Sequence, residues 1–248
     1  MPKLLNQITT NSDRFGSNSE LLDQHLCEHW PRIGELTLLV NLVNFTKCAR
    51  VLNIPPESKL LNALASTWKI DQADFVVSKR MEEEGIKKTC SSLSGFENNI
   101  YDAVIGIAPL HHLTDRQQIK FITAAKQKLI PGGRLVIAEP LRGSSVAVFL
   151  DTLIDYYSLT GHKGNYPTNG LVESITQVGF KSASAQTIDC GLVFSSEEEM
   201  IEWFKRFFGI KFSNKETFLE KIKTLLSFKK TGKNLRLGWE LTFFIAEL

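Results

Sequence analysis

Two adjacent histidines and one glutamate are the residues best suited to acid–base chemistry. His111 and His112 follow the bounded apolar run YDAVIGIAP, and Glu139 ends the apolar part of RLVIAEP. Such runs are typical of buried parallel strands, whose carboxyl ends form the ligand-binding edge of an open sheet. Any of the three side chains could take a proton from a hydroxyl or amine nucleophile near neutral pH. The alternatives are loop packing for the histidines and a loop salt bridge for Glu139.

A second group of candidates follows Glu139 in the sequence. Arg142 could hold a substrate carboxylate through paired hydrogen bonds, or form a loop salt bridge. The other candidate substrate-binding residues are Tyr156, Tyr157, His162 and Tyr166. For the tyrosines the alternative is packing on an amphipathic helix, with one ring in the core and one exposed.

Strand-like and helix-like segments alternate from Ala49 onward, which predicts a mostly parallel sheet with helices on both faces. The predicted strands are Ala49–Ile54, Trp68–Asp71, a weak one at Lys88–Leu93, Tyr101–Pro109, Arg134–Pro140, Lys181–Cys190 and Leu235–Ala246. The predicted helices lie in Pro2–Phe45, with a break at Trp30-Pro31, and at Ser58–Ser66, Gln72–Glu84, Asp115–Leu129, Val146–Leu159, Asn169–Val178 and two places between Ser196 and Phe228. The turn Pro131-Gly132-Gly133 is predicted to stop the helix Asp115–Leu129. The last two strands suit an antiparallel hairpin at the edge of the sheet.

Composition excludes several classes of protein. The 248 residues fit one domain with appendages, and 29 basic against 27 acidic residues predict neither nucleic acid nor a membrane surface as partner. Met1–Phe15 has no long apolar run, so we expect a cytoplasmic protein. The cysteines are far apart without a CxxC pair, which predicts reduced thiols and no metal site.

One segment is strongly basic. Ile201–Arg236 contains ten Lys or Arg residues against three acids. This surface could dock an acidic carrier protein, although a solvated helix face is the alternative. No RNA-binding motif accompanies it, so we do not expect nucleic acid.

From about Cys48 to the C-terminus, the sequence resembles the class I S-adenosylmethionine-dependent methyltransferases. The resemblance rests on YDAVIGIAPLHHL, KQKLIPGGRLVIAEP and NYPTNGLVESITQVGF, which are similar to the family's fourth strand, fifth strand and late helix. The tail, with SSEEEMIEWFKRFFGI and LGWELTFFIAEL, is similar to the trans-aconitate and malonyl-carrier-protein O-methyltransferases. The resemblance implies an α/β, doubly wound, seven-stranded Rossmann-like sheet with an antiparallel last strand. It also implies an N-terminal helical lid at 1–47, a methyltransferase-type domain at 48–248, and lid or insert segments at 141–168 and 191–234.

The same resemblance implies S-adenosylmethionine as cofactor. Asp71 matches the acid that binds the two ribose hydroxyls, although a helix N-cap is an alternative role. The other cofactor-binding residues it implies are Asn53, Ile54, Pro55, Cys90, Ser91 and Ile107. The family's glycine-rich turn is absent, because positions 53–58 read Asn-Ile-Pro-Pro-Glu-Ser. Either the cofactor binds by another backbone route, or this site serves a different ligand or none.

Three functions follow as alternatives. The first is a methyltransferase that acts on a small molecule or a carrier-bound acid. The second is a methyltransferase-like enzyme that no longer binds the cofactor and performs a lyase or cyclase step. The third is a non-catalytic partner subunit, and association into a homodimer or a heterodimer is left open.

Overall fold

Helices and strands alternate through most of the computed structural model, which describes residues 30–44, 49–54, 69–72, 93, 95–158, 161–212 and 214–248. The helices are α1 (Ile33–Val43), α2 (Asp115–Lys128), α3 (Ser145–Phe149), α4 (Asp155–Tyr157), α5 (Leu171–Gln177), α6 (Glu197–Phe208) and α7 (Lys215–Leu225). The strands are β1 (Arg50–Asn53), β2 (Lys69–Gln72), β3 (Tyr101–Ile107), β4 (Leu129–Glu139), β5 (Ser182–Asp189), β6 (Leu192–Phe194), β7 (Phe228–Thr231), β8 (Asn234–Leu237) and β9 (Glu240–Glu247). A 3₁₀ turn at Trp30–Arg32 precedes α1, and a π-helical turn at Leu150–Ile154 joins α3 to α4.

The central sheet has the order β2-β1-β3-β4-β9-β5. Strands β2, β1, β3 and β4 pair in parallel, and β9 runs antiparallel to both β4 and β5. The α/β class, the mostly parallel sheet and the antiparallel last strand are therefore confirmed. Six strands of this sheet fall within the described residues, and the predicted strand Lys88–Leu93 lies outside them except for its last residue. The predicted helix Gln72–Glu84 lies outside them after its first residue.

Apolar side chains cover both faces of the sheet. On one face, Ile105 and Val136 pack in a cluster with Leu36 and Leu39 of α1. On the other face, Val104 packs in a cluster that includes side chains of α2 and α5. Neighbouring residues of a strand point to opposite faces, so helices on both sides are required to bury this sheet, as in a doubly wound fold.

The N-terminal part of the chain is described only from residue 30. Helix α1 buries Leu36, Leu39 and Val43 in the core that covers one face of the sheet. The residues before it, on which most of the predicted lid depends, lie outside the described part of the chain. The lid therefore stays a prediction.

Two predicted boundaries are wrong. The sequence Pro131-Gly132-Gly133 does not form a turn between α2 and a later strand, because β4 starts at Leu129 and contains all three residues. Tyr101 of β3 faces Leu129 and Ala103 faces Arg134, so a step of two residues on β3 matches a step of five on β4. The extra residues form a bulge in which Gly132 has a φ of +77°. A left-handed residue and a proline end helices, but they also fit strand bulges.

The second wrong boundary is the single strand Leu235–Ala246. The predicted strand is interrupted at Gly238 and Trp239, which belong to neither β8 nor β9. Strand β8 pairs with β6 and β7 in a separate sheet of order β6-β8-β7. Residues Gly232 and Lys233 form the hairpin turn between β7 and β8. The amide of Gly238 donates to the Ser227 carbonyl at 2.6 Å, which turns the chain from the small sheet back to the central one.

Two further sequence expectations concern membranes and cysteines. None of the helices in the described residues is long and apolar enough to span a membrane. Cys190 is half-buried with a free thiol, and burial raises its pKa above the ordinary thiol range. The other three cysteines lie outside the described residues.

The end of β1 is packed tightly against β3. The Ile54 amide donates to the Ile105 carbonyl at 2.8 Å, and the Ile54 side chain is fully buried. A Cβ added to Gly106 would overlap the Ile54 carbonyl oxygen and lie 3.1 Å from Pro109 Cγ. Gly106 is therefore required for the backbone of β1 to approach β3 at this point.

We predict that Gly106→Ala lowers the free energy of unfolding by about 2 kcal/mol, because the new methyl group must displace backbone rather than a flexible side chain. Urea denaturation of the full chain measures the effect. Gly95→Ala is the matched control, since an added Cβ there meets no atom within 4 Å. Equal stability of the two variants would contradict the close approach.

Candidate active site

A buried carboxylate at the end of β4 organises the loop after β3. Glu139 is completely buried, and one of its oxygens accepts the backbone amide of Leu110. Its other oxygen lies 2.9 Å from Nδ1 of His111. The Ala108 amide donates to the Ala138 carbonyl at 2.7 Å, which holds the ends of β3 and β4 side by side. His111 and Glu139, which are both predicted to lie at this edge, are therefore in direct contact.

Three imidazoles cluster beside this carboxylate. The ring centroids of His111 and His112 lie 4.1 Å apart, and His162 lies 5.4 Å from the first and 5.1 Å from the second. Tyr166 stacks on His111 at 5.4 Å with an interplanar angle of 14°. Residues from two segments that lie 50 to 55 positions apart in sequence thus form one group of rings at the carboxyl edge of the sheet.

A second carboxylate, Asp151, holds the far side of the cluster. It lies in the π-helical turn between α3 and α4, a feature that is frequent at functional sites. Its Oδ1 accepts the Tyr166 hydroxyl and the Gly164 amide, each at 2.9 Å, and lies 3.3 Å from Nδ1 of His162. Sequence reasoning missed Asp151, because nothing in a helical run of apolar residues marks one aspartate as the partner of a loop 11 to 15 residues later.

The segment 161–168 has neither helix nor strand, and Asn165 ties it to the loop after β3. The Asn165 amide donates to the His111 carbonyl at 2.6 Å, and its side chain donates to the Leu113 carbonyl at 2.9 Å. The buried Gln118 of α2 donates to the Asn165 carbonyl at 2.7 Å. This bracing positions His162 and Tyr166, which flank Asn165 in the chain, and sequence reasoning missed it as well.

The electrostatics of the cluster favour the uncharged form of two imidazoles, those of His112 and His162. Although His112 is exposed as a residue, desolvation of its ring and the neighbouring His111 and His162 lower its pKa to about 3. Burial and His111 also lower the pKa of His162, against the opposing effect of Asp151. Burial and the hydrogen bond to Asp151 raise the pKa of Tyr166 well above its ordinary value. At neutral pH, His112 and His162 are therefore neutral and Tyr166 keeps its proton.

Among the predicted substrate-binding residues, Arg142 lies beside the cluster. Its Nη2 donates to Oδ1 of Asn165 at 3.2 Å, and its amide donates to the Pro167 carbonyl at 3.0 Å. The two adjacent tyrosines are elsewhere: Tyr157 packs edge-on against Phe218 of α7, and Tyr156 is 77% exposed. The structure thus groups Arg142, His162 and Tyr166 but does not bring Tyr156 and Tyr157 to the histidine cluster.

Four of the seven predicted cofactor-binding residues lie at or next to the ends of neighbouring strands. Asn53 ends β1, and Asp71 pairs with Leu52 near the end of β2. Ile107 ends β3 opposite Ala138 of β4. Ile54 follows β1 and is fully buried, and the remaining three, Pro55, Cys90 and Ser91, lie outside the described residues.

We predict that Glu139→Gln moves the ring proton of His111 from Nδ1 to Nε2. A carboxylate only accepts, so it keeps a proton on Nδ1, whereas an amide that accepts from Leu110 must point its NH₂ group at that nitrogen. Long-range ¹H–¹⁵N spectra of the full chain report the tautomer of His111. We also expect the substitution Glu139→Gln to lower the free energy of unfolding by about 1 kcal/mol. Glu240→Gln is the control, because Glu240 is exposed on β9. An Nε2-protonated His111 in the wild-type protein would contradict the assignment.

Comparisons with known proteins give matches in structure rather than in sequence. No family model matches the sequence, and no curated protein matches it. The YcgJ protein from Bacillus subtilis matches with a TM-score of 0.55 and 14% identity, over 86% of this chain and 97% of that one. A phosphoethanolamine N-methyltransferase 2 from Haemonchus contortus, solved with S-adenosyl-L-methionine, matches with a TM-score of 0.51 and 16% identity, over 90% of this chain and 56% of that one.

A third solved structure has the same fold. The cyclopropane synthase MmaA2 from Mycobacterium tuberculosis matches with a TM-score of 0.50 and 14% identity, over 87% of this chain and 84% of that one. The narrower similarity to the trans-aconitate and malonyl-carrier-protein enzymes stays a prediction. The sheet order, the antiparallel last strand and these matches together show that the chain has the fold of the class I S-adenosylmethionine-dependent methyltransferases.

Proposed function

We propose that this protein is an S-adenosylmethionine-dependent methyltransferase whose acceptor substrate loses its proton to His111. The observation that carries the proposal is the contact between the buried Glu139 and Nδ1 of His111 at the carboxyl edge of β3 and β4. In open α/β sheets this edge is where ligands bind. The fold supports the choice of cofactor, and the contact supports the role of the histidine.

The chemistry of the strand ends fits the cofactor at one position above all. Asp71 lies opposite Leu52, next to the end of β1, and a carboxylate there offers two acceptor oxygens to a pair of ribose hydroxyls. Positions 53–58 supply no glycine, so recognition depends more on Asp71 than it would with a glycine-rich turn. When bound, S-adenosylmethionine supplies an electrophilic methyl group.

The chain's own residues would prepare the acceptor. Since Glu139 holds the proton of His111 on Nδ1, the other nitrogen, Nε2, is left to accept a proton from a hydroxyl or an amine. The buried carboxylate would also stabilise the imidazolium that forms, as in other carboxylate–histidine pairs. Tyr166, stacked on the ring of His111, keeps the imidazole in one plane.

We further propose a small acidic acceptor. Arg142 uses Nη2 toward Asn165, and a guanidinium has further N–H donors for a carboxylate. A carrier-bound acid would additionally contact the basic segment Ile201–Arg236. Within this segment, four of the ten basic residues pair with acids of this chain: Lys205, Lys215, Lys223 and Arg236. This partial neutralisation favours a free small molecule over a carrier-bound acid.

We predict that Asp71→Ala weakens the binding of S-adenosylmethionine by about tenfold or more, which is the loss expected when one charge-assisted hydrogen-bonding group is removed. Isothermal titration calorimetry with S-adenosylmethionine and with S-adenosylhomocysteine measures it on the full chain. Glu173→Ala removes an exposed carboxylate from α5 and should leave the affinity unchanged.

The outcomes separate the alternatives. A wild-type protein that gives neither heat nor a thermal shift with millimolar cofactor would exclude the methyltransferase. Equal affinities for Asp71→Ala and Glu173→Ala would exclude the assignment of Asp71. If the cofactor binds, His111→Asn should retain that affinity while losing the release of S-adenosylhomocysteine with any acceptor that the wild type methylates.

A further inference from the structure

The histidine cluster has the composition of a metal site. One ring nitrogen can be chosen from each of His111, His112 and His162 so that the three nitrogens all lie within 4.8 Å of one another. The first is buried, the second exposed and the third half-buried, so the group opens toward solvent on one side. Imidazole is a ligand that suits zinc, copper, iron and nickel.

Two carboxylates orient two of these imidazoles. Glu139 lies 2.9 Å from Nδ1 of His111, and Asp151 lies 3.3 Å from Nδ1 of His162. Metal-ligating histidines almost always give their other ring nitrogen to a carboxylate, a carbonyl or water, which fixes the tautomer and the ring direction. Because both Nδ1 atoms face carboxylates, the nitrogens left for an ion are both Nε2. The two negative charges also balance a divalent cation.

We propose that His111, His112 and His162 bind a divalent zinc ion, with Glu139 and Asp151 as the residues that orient the ligands. Three histidines with an open fourth position are a known ligand set for catalytic zinc. Nitrogens at zinc distance from one tetrahedral ion lie about 3.4 Å apart, so the widest pair, which lies within 4.8 Å, has to approach by at most about 1.4 Å. His112 is the exposed member of the three residues.

The inference does not depend on methyl transfer, but it replaces the role of His111 as base in the proposed function. It concerns the binding of an ion to three imidazoles, whether or not a methyl group is transferred. With zinc in place, His111 is a ligand, and an acceptor hydroxyl in the fourth position would be ionised by the ion instead of by the ring. The expectation of no metal came from cysteine spacing, which cannot report on histidines that the fold brings together.

The test uses the full chain without an affinity tag, stripped of metal with a chelator and titrated with zinc by calorimetry. We expect one equivalent to bind to the wild type, His162→Ala to weaken binding by about 100-fold, and Asp151→Asn to weaken it by about 10- to 100-fold. The matched control is the His25→Ala/His29→Ala double variant, which removes the chain's two other histidines and should bind as the wild type does.

Cobalt gives a second measurement that needs no variant. We expect intense visible d–d bands from four-coordinate cobalt in the wild-type protein, and displacement of those bands by zinc. The proposal is overturned if the wild type binds no zinc, or if the His25→Ala/His29→Ala variant loses the ion while His162→Ala keeps it.

Thermal unfolding with and without zinc is a third measurement, because a folded His162→Ala variant should lose the rise in Tm that zinc causes in the wild type. A Tm rise equal to that of the wild type in this variant would also overturn the proposal.

Discussion

The site depends on the complete burial of one carboxylate. Moving an ionised carboxylate out of water costs several kcal/mol unless it is paired and hydrogen-bonded, so Glu139 can occupy the end of β4 only with both oxygens engaged. Leu110 and His111 supply these partners. The chain reaches them through Ala108, whose φ of +60° lies in the left-handed region that costs a side chain of order 1 kcal/mol. The buried charge therefore dictates the path of the loop after β3 and the place of the first imidazole.

Hydrogen bonds also position residues 161–168, a segment without regular structure next to Glu139 and His111. Backbone that lacks helix or strand must find hydrogen-bond partners elsewhere. For residues 161–168 such partners include Asp151, Asp155 and the loop after β3: the His162 amide donates to Asp155 at 2.8 Å, and the Asn165 amide donates to the His111 carbonyl at 2.6 Å. These hydrogen bonds, from the segment to Asp155 and to the loop after β3, fix the positions of His162 and Tyr166 beside His111.

The parts of the site that could be predicted are those governed by strand direction. Bounded apolar runs indicate β3 and the second half of β4, and parallel strands bring their carboxyl ends together, so His111 and Glu139 are predicted to lie at the same edge of the sheet. The sequence does not indicate the roles of Asp151 and Asn165, because these roles depend on the path of a loop and a loop has no periodic pattern of apolar residues. The small sheet of β6, β7 and β8 was missed for a related reason: strands of three or four residues show too little alternation to be told from loops.

The π-helical turn at Leu150–Ile154 makes the geometry around Asp151 sensitive to chain length rather than to side-chain identity. Each helical residue advances by about 100°, so excision of one residue from this turn would swing everything on one side of it by more than a quarter of a revolution. The helix that remains after this deletion would have regular α-helical spacing and α-helical backbone hydrogen bonds. Asp151, or else Asp155, would then face away from the loop that it now holds. A regular helix at Leu150–Ile154 is therefore incompatible with the present positions of both Asp151 and Asp155 beside residues 161–168.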